Sequence, residues 1–163
     1  MAEYLLEMKQ IVKQFPGTLA LDHVDFTLEQ GEVMALIGEN GAGKSTLMNV
    51  LMGMLQPDSG EMVLRGQTIT NRSPYEALQK GIGMVPQELN LVSDLSIAEN
   101  IFLGLHQKKG NRIDWDHMRS KAKEMLDKLE VDIDPGKKIS EVSAAYQQLV
   151  SIARTLVFGS NII

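Results

Sequence analysis

The chain has 163 residues, of which 44% are hydrophobic and 23% charged, with a formal net charge of −5 and no cysteine. This length suffices for one domain with its own core, and the lack of cysteine excludes disulfides, thiol catalysis and thiolate metal sites. The acidic balance argues against a protein that binds nucleic acid over its whole surface, but it leaves room for a local phosphate site. The three histidines, His23, His106 and His117, show no metal-ligand spacing.

The N-terminal third predicts strands followed by a helix. Residues 4–10 and 22–29 alternate between apolar and polar side chains, which is typical of half-buried strands. Residues 33–38, "VMALIG", form a continuous apolar run that ends at a glycine. Such a run predicts a strand buried on both faces, as in a parallel sheet. The apolar residues that follow recur at helical spacing and predict a helix: Leu47, Val50, Leu51 and Met54.

The middle of the chain predicts a short helix and a short strand. In residues 73–81, Ser73 has the position of an N-cap, Pro74 stands at the first helical position and Glu76 completes a capping box. Residues 82–87, "IGMVPQ", form a short apolar run that predicts a strand ending at its proline.

The C-terminal half predicts three helices. Residues 96–104 form the first, with Ser96 as its cap. An apolar stripe from Trp115 to Leu129 predicts the second. Residues 143–158 carry a similar stripe and predict the third.

The most informative stretch is "GENGAGKST", which fits the pattern G-x-x-x-x-G-K-[ST] between the predicted strand and helix. Glycines let the backbone curl into a nest of N–H groups around phosphate oxygens, and the helix start adds its free N–H groups. A lysine then neutralises the β- and γ-phosphates, and a hydroxyl is offered to Mg²⁺. The residues predicted to bind nucleotide are Gly38, Glu39, Asn40, Gly41, Ala42, Gly43, Lys44, Ser45 and Thr46.

Two further segments, taken together with the glycine loop, resemble a known protein family. Residues 85–104, "VPQELNLVSDLSIAENIFLG", and 139–156, "ISEVSAAYQQLVSIARTL", follow the glycine loop in a characteristic order and spacing. With the loop they resemble the ATP-binding cassette of ABC transporters along essentially the whole chain. The first segment is especially similar to the cassettes of bacterial ribose and galactose importers.

This resemblance implies an α/β fold of the P-loop nucleoside triphosphatase class, present as an incomplete domain. The fold would have a parallel core sheet, an N-terminal antiparallel β region and a helical insertion. Residues 1–87 and 156–163 would form the nucleotide-binding core and the antiparallel β region. Residues 88–155 would form the helical subdomain.

The resemblance also assigns roles to single residues. Phe15 matches the aromatic residue that stacks on adenine, although a phenylalanine packed in the core would give the same pattern. Gln87 matches a glutamine that contacts Mg²⁺ and the attacking water; an ordinary loop glutamine is the alternative. The implied cofactors are ATP and Mg²⁺, with Lys44 and Gln87 as catalytic residues and Ser45 and Gln87 as metal ligands.

The signature segment departs from the family pattern. The family has L-S-G-G-Q where this chain has Val142, Ser143, Ala144, Ala145 and Tyr146. In the family this segment opens a helix and contacts the nucleotide of a second cassette. We expect the helix to form with Ser143 as its cap, whereas a methyl group and a bulky ring weaken the contact in trans.

A second departure concerns catalysis. In the family a strand ending in Asp–Glu follows the signature helix and supplies a magnesium ligand and the general base. Residues 161–163, "NII", match only the first residues of that strand. We therefore expect a C-terminally truncated cassette that binds ATP but hydrolyses it poorly.

The resemblance implies an ATPase that drives import of a ribose- or galactose-like sugar. Its partners would be membrane permease subunits, a second cassette in the same or a neighbouring chain and, indirectly, a sugar-binding protein, with no nucleic acid. It would lie at the cytoplasmic face of the cell membrane. Two alternatives stay open: an ABC ATPase without a transport role, and a non-catalytic regulatory or interaction module, which the altered signature favours.

Overall fold

The computed structural model describes residues 4–104, 108–109 and 112–163. The chain forms two compact units, the first ending at Lys80 and the second beginning at Gly81. The predicted division into residues 1–87 with 156–163 and residues 88–155 stays a prediction. Among the described residues, no helix is both long and apolar enough to cross a membrane.

The first unit contains a four-stranded antiparallel sheet with the order β2-β1-β3-β4. Its strands are β1 (Leu6–Phe15), β2 (Thr18–Leu28), β3 (Ser59–Leu64) and β4 (Gln67–Ile69). The predicted N-terminal strands are thus confirmed and are longer than the alternating pattern indicated. In β1, alternate side chains are buried until Gln10, which has a φ of 53° and donates its backbone N–H to Asp25 Oδ1 at 2.7 Å. After this irregularity Ile11 is buried in turn.

Two helices complete the first unit, and a buried asparagine stabilises their arrangement. Helix α1 spans Lys44–Leu51, and α2 spans Pro74–Gln79. Asn71 is 1% exposed and donates its side-chain amide to Leu51 O at 2.6 Å, at the end of α1. Its Oδ1 accepts a hydrogen bond from Lys80 Nζ at 2.9 Å, just after α2.

The cap of α2 forms largely as predicted. Ser73 Oγ accepts a hydrogen bond from Glu76 N at 3.3 Å. The reciprocal bond of a capping box would run from Ser73 N to the Glu76 carboxylate. Instead Glu76 Oε2 accepts from Arg72 N at 3.0 Å, one residue earlier.

The buried strand predicted at residues 33–38 is wrong for this chain. These residues adopt no regular secondary structure, and Val33 and Ile37 are 98% and 90% exposed. A strand is stabilised by hydrogen bonds to its neighbours, and none of the described strands pairs with this segment. The apolar run before the glycine loop therefore lies open to solvent.

The second unit is built around three helices, as predicted. They are α3 (Ile97–Ile101), α4 (Trp115–Lys128) and α5 (Ala144–Val157). A 3-10 helix spans Ile139–Glu141, and β5 (Lys108–Lys109) pairs antiparallel with β6 (Arg112–Ile113). Helix α3 begins at its predicted cap, Ser96. The structure adds a capping box, in which Ser96 Oγ accepts from Glu99 N and Glu99 Oε2 accepts from Ser96 N.

The helices of the second unit share one apolar core. Its fully buried members come from all three helices, so the stripes read from the sequence face one another. Asn100 is also fully buried, and its side chain bonds to the backbone N–H of Val92 and to the carbonyls of Val92, Leu95 and Ser96. This amide fixes the loop that precedes α3.

Parallel pairing in the described residues is limited to one bridge, between Ile82 and Ile162. The short strand predicted at residues 82–87 is therefore represented only by its first residues. Gly83 approaches the end of the chain closely, since a Cβ added to it would lie 2.4 Å from Ser160 Oγ and from Thr155 Cγ2.

Candidate functional site

The glycine loop leads directly into α1, whose first turn has no side-chain cap. Gly43 occupies the N-cap position with a left-handed φ of 85°, and its carbonyl accepts from Leu47 N at 2.9 Å. No acidic residue stands in the first turn of the helix. The N–H groups of this turn are therefore free of side-chain partners and can be donated to an anion.

Lys44 folds back over the loop. Its ammonium donates to Gly38 O and to Glu39 O, both at 2.7 Å. A turn brings these carbonyls into place, with Ala42 N donating to Glu39 O at 3.2 Å. The positive charge of Lys44 is thus held beside the free N–H groups at the start of α1.

Two glycines of the loop adopt backbone conformations that other residues avoid. Gly41 and Gly43 have φ values of 89° and 85°. A Cβ on Gly43 would also lie 2.5 Å from the backbone oxygen of Ala20 and 2.9 Å from Leu21 Cδ2, both in β2. Gly43 therefore lets the helix start pack directly against the sheet.

The hydroxyl residues of the loop differ in exposure. Ser45 is exposed and Thr46 is half-buried. Ser45 directly follows Lys44 in the first turn of α1, so the loop supplies an exposed hydroxyl, a lysine ammonium and free helix N–H groups. These groups fit a magnesium–triphosphate group, because hydroxyl oxygens suit Mg²⁺ and N–H donors suit phosphate.

Phe15 is the last residue of β1, at the turn of the β1–β2 hairpin. Strand β2 of this hairpin also contacts the glycine loop. Phe15 pairs with Thr18 across the turn, and β2 reaches Gly43 at Ala20, two residues later. Phe15 is half-buried, and the ammonium of Lys13 lies over its ring, 5.8 Å from the centroid. Its assignment as the adenine-stacking residue stays a prediction.

The remaining predicted site residues lie in the second unit. Gln87 is exposed, as are Ser143, Ala144, Ala145 and Tyr146. Their assigned roles stay predictions. Ser143 has the N-cap position of α5, but the expectation that it caps the helix is wrong, because its side chain makes no cap hydrogen bond. Instead Gln147 Nε2 donates to Ile139 O and Val142 O, both at 3.2 Å, and ties the start of the helix to the preceding segment.

The sequence alone did not identify Asp58, whose carboxylate binds the residues that precede Phe15 in β1. Asp58 Oδ1 accepts from Lys13 Nζ at 2.9 Å, and its Oδ2 accepts from Gln14 N at 2.7 Å. The residues are more than forty positions apart in the chain, so no local pattern marks the contact. The residues around Asp58, "PDSGE", have the composition of a turn, which gives no indication of the partners of the carboxylate.

Comparisons with known proteins consistently match one family. The family model described as "ABC transporter" matches residues 21–163. A putative ribose/galactose/methyl galactoside import ATP-binding protein of Hahella chejuensis is 43% identical over 99% of this chain and 32% of that protein. The galactose/methyl galactoside import ATP-binding protein of Salmonella typhimurium is 44% identical over 99% of this chain and 32% of that protein. The chain thus spans about a third of the length of these curated relatives.

Solved structures give the same fold. A nucleotide-free ATP-binding cassette from an ABC transporter is 30% identical, with a TM-score of 0.82 over 96% of this chain and 66% of that chain. A dimeric cassette in a post-hydrolysis state, bound to ADP and phosphate, is 27% identical, with a TM-score of 0.74 over 95% of this chain and 70% of that chain. These matches confirm the predicted fold class and its incomplete extent relative to solved cassettes.

Proposed function

The chain belongs to the ABC transporter family, and from that premise we propose that it is the ATP-binding part of a sugar import ATPase. The observation that supports ATP binding most strongly is the geometry of residues 38–46. The uncapped start of α1, the Lys44 ammonium and the exposed Ser45 hydroxyl converge on one loop. This donor set matches the needs of a magnesium–triphosphate group.

In this proposal each predicted site residue has its own role. Backbone N–H groups at the start of α1 donate to phosphate oxygens, Lys44 neutralises their charge, and Ser45 would hold Mg²⁺, which screens charge on the phosphates. Phe15 stacks on the base. For Gln87 we keep the role that the family resemblance implies, contact with Mg²⁺ and the attacking water, as a prediction.

The substrate class is proposed from the relatives. The Hahella and Salmonella proteins are named as import ATP-binding proteins for ribose, galactose or methyl galactoside. We infer a sugar of this kind, a membrane permease, a second cassette and a sugar-binding protein as partners, at the cytoplasmic face of the membrane. The dimeric state of one similar cassette supports the second cassette.

The direct test is calorimetric titration of MgATP into the chain and into Lys44→Ala. The substitution is expected to weaken binding by about 1.5–3 kcal/mol, because hydrogen bonds from charged donors to phosphate are the strong ones. Lys121→Ala removes an exposed lysine that pairs with Glu124, and this control is expected to bind like the wild type. Equal affinities of wild type and Lys44→Ala would contradict the assignment of the loop.

We further propose that a polypeptide of residues 1–163 hydrolyses ATP at no more than a trace rate. Residues 158–163, "FGSNII", follow α5 and include no Asp or Glu side chain, and loss of a general base alone typically costs 10²–10⁴-fold. A phosphate-release assay with Lys44→Ala as the contamination control tests this. Robust turnover that Lys44→Ala abolishes would contradict it and would point to a base such as Glu88 or Asp94.

A non-catalytic module is the second candidate, and the signature segment is the observation that favours it. Ser143 makes no cap bond, and Tyr146 is 41% exposed where the family has glutamine. This candidate predicts MgATP binding without turnover even when a complete second cassette is supplied. Turnover above that of the added cassette alone, lost when the chain carries Lys44→Ala, would favour the transport ATPase.

A further inference from the structure

Asp58 is bound to three consecutive residues of β1, directly before Phe15. Its backbone N–H donates to Val12 O at 2.8 Å. Its carboxylate accepts from Lys13 Nζ at 2.9 Å and from Gln14 N at 2.7 Å. The turn before β3 is therefore attached to the end of the strand that carries the proposed base-stacking ring.

Regular strand pairing does not fix this end of β1. The register between β1 and β2 shifts on both sides of Lys13. Pairing between β1 and β3 ends at Val12, opposite Ser59. The Asp58 carboxylate thus supplies hydrogen bonds where the strand ladder becomes irregular, and it sets the orientation of the last residues of β1.

The same contact determines what covers the Phe15 ring. Lys13 is held by Asp58, its side chain is only 15% exposed, and its ammonium lies over the ring at 5.8 Å from the centroid. This distance is within the range of a cation–π contact. One face of the ring is therefore occupied by a cation, and a planar base can stack only on the other face.

We propose that Asp58 and Lys13 are positioning residues for the nucleotide base, which hold the Phe15 ring so that a purine stacks on the face opposite the Lys13 ammonium. This inference rests on the proposed function, which places the base at Phe15. The hydrogen bond from Gln14 N–H, and then that from Lys13, hold the pKa of Asp58 below its ordinary value of 3.8. The carboxylate is thus ionised at neutral pH, and the contact with Lys13 persists there.

The arrangement predicts an effect on base recognition that is separate from any effect on folding. The side chains of Lys13 and Asp58 are 15% and 46% exposed, so removing this partly shielded pair is expected to lower the midpoint of thermal unfolding, and affinities are compared at a temperature where every variant is folded. Orientation of the ring matters only to a ligand that carries a base. Inorganic triphosphate occupies the loop without touching the ring and therefore separates the two contributions.

The test measures binding of MgATP and of magnesium inorganic triphosphate to the full chain and its variants. Asp58→Asn and Lys13→Met are each expected to weaken MgATP binding about fivefold and to leave triphosphate binding unchanged. Lys13→Arg, which keeps the charge and the partner, is expected to retain wild-type affinity. Lys9→Met removes an ion pair with Glu7 on the same strand and is the matched control, expected to change neither affinity.

A second comparison shows whether the effect passes through the ring. Phe15→Ala is expected to weaken MgATP binding at least about fivefold, and adding Asp58→Asn to it is expected to cause no further loss. Equal losses for MgATP and triphosphate in Asp58→Asn, or a full further loss in the double variant, would overturn the proposal. A wild-type chain that binds neither ligand would overturn the proposed function itself, whereas normal wild-type binding with unaffected variants would overturn only the positioning role.

Discussion

The two units differ in how far their apolar segments are buried. In the second unit the stripes of α3, α4 and α5 face one another, and residues such as Ile97 and Leu126 are fully buried. In the first unit the run before the glycine loop leaves Val33 and Ile37 almost fully exposed. A helix satisfies its backbone internally and needs only an apolar neighbour, whereas a strand needs hydrogen-bonded neighbours as well. Apolar sequence alone therefore predicts burial more safely for these helices than for this strand.

The sharpest way to break this comparison is to truncate one isoleucine in each unit. Ile97→Ala removes a side chain that is 0% exposed, while Ile37→Ala removes one that is 90% exposed. We expect the first to lower the free energy of unfolding by about 2–5 kcal/mol and the second by less than about 0.5 kcal/mol. Urea denaturation of both variants measures this, and equal losses would mean that residues 33–38 are buried in solution.

Substitutions of two loop glycines are expected to have smaller effects on stability, and they test how the glycine loop packs. Gly41 and Gly43 share a left-handed φ, but only at Gly43 would a Cβ collide with the backbone of Ala20. Gly41→Ala is expected to cost about 1–2 kcal/mol of unfolding free energy from backbone strain. Gly43→Ala is expected to cost at least about 1 kcal/mol more, because steric overlap is added. Thermal or urea unfolding of the pair checks the difference, and indistinguishable variants would show that α1 does not pack on β2.

Much of the fold could be predicted because the deciding interactions are local. The cap of α3 at Ser96 and the stripe of α4 involve residues three or four positions apart, and they form as predicted. The glycine loop could be predicted for the same reason, since its donors lie within nine consecutive residues.

The features that could not be predicted depend on contacts for which the sequence carries no local pattern. The strand predicted at residues 33–38 required neighbours that do not pair with it in the described residues. Ser143 lost its predicted cap bond, and the Gln147 amide bonds to Ile139 and Val142 instead. The link from Asp58 to Lys13 joins residues 45 positions apart, and only the folded sheet brings them together.

The most direct test of the central claim is amide hydrogen exchange of the chain with and without saturating MgATP. The account predicts slower exchange in residues 38–47, where free N–H groups of the loop and of α1 would bind phosphate. It predicts unchanged exchange in α4, which belongs to the self-contained core of the second unit. Protection confined to the second unit, or no protection of residues 38–47 at saturation, would contradict the assignment of this loop as the ATP-binding site.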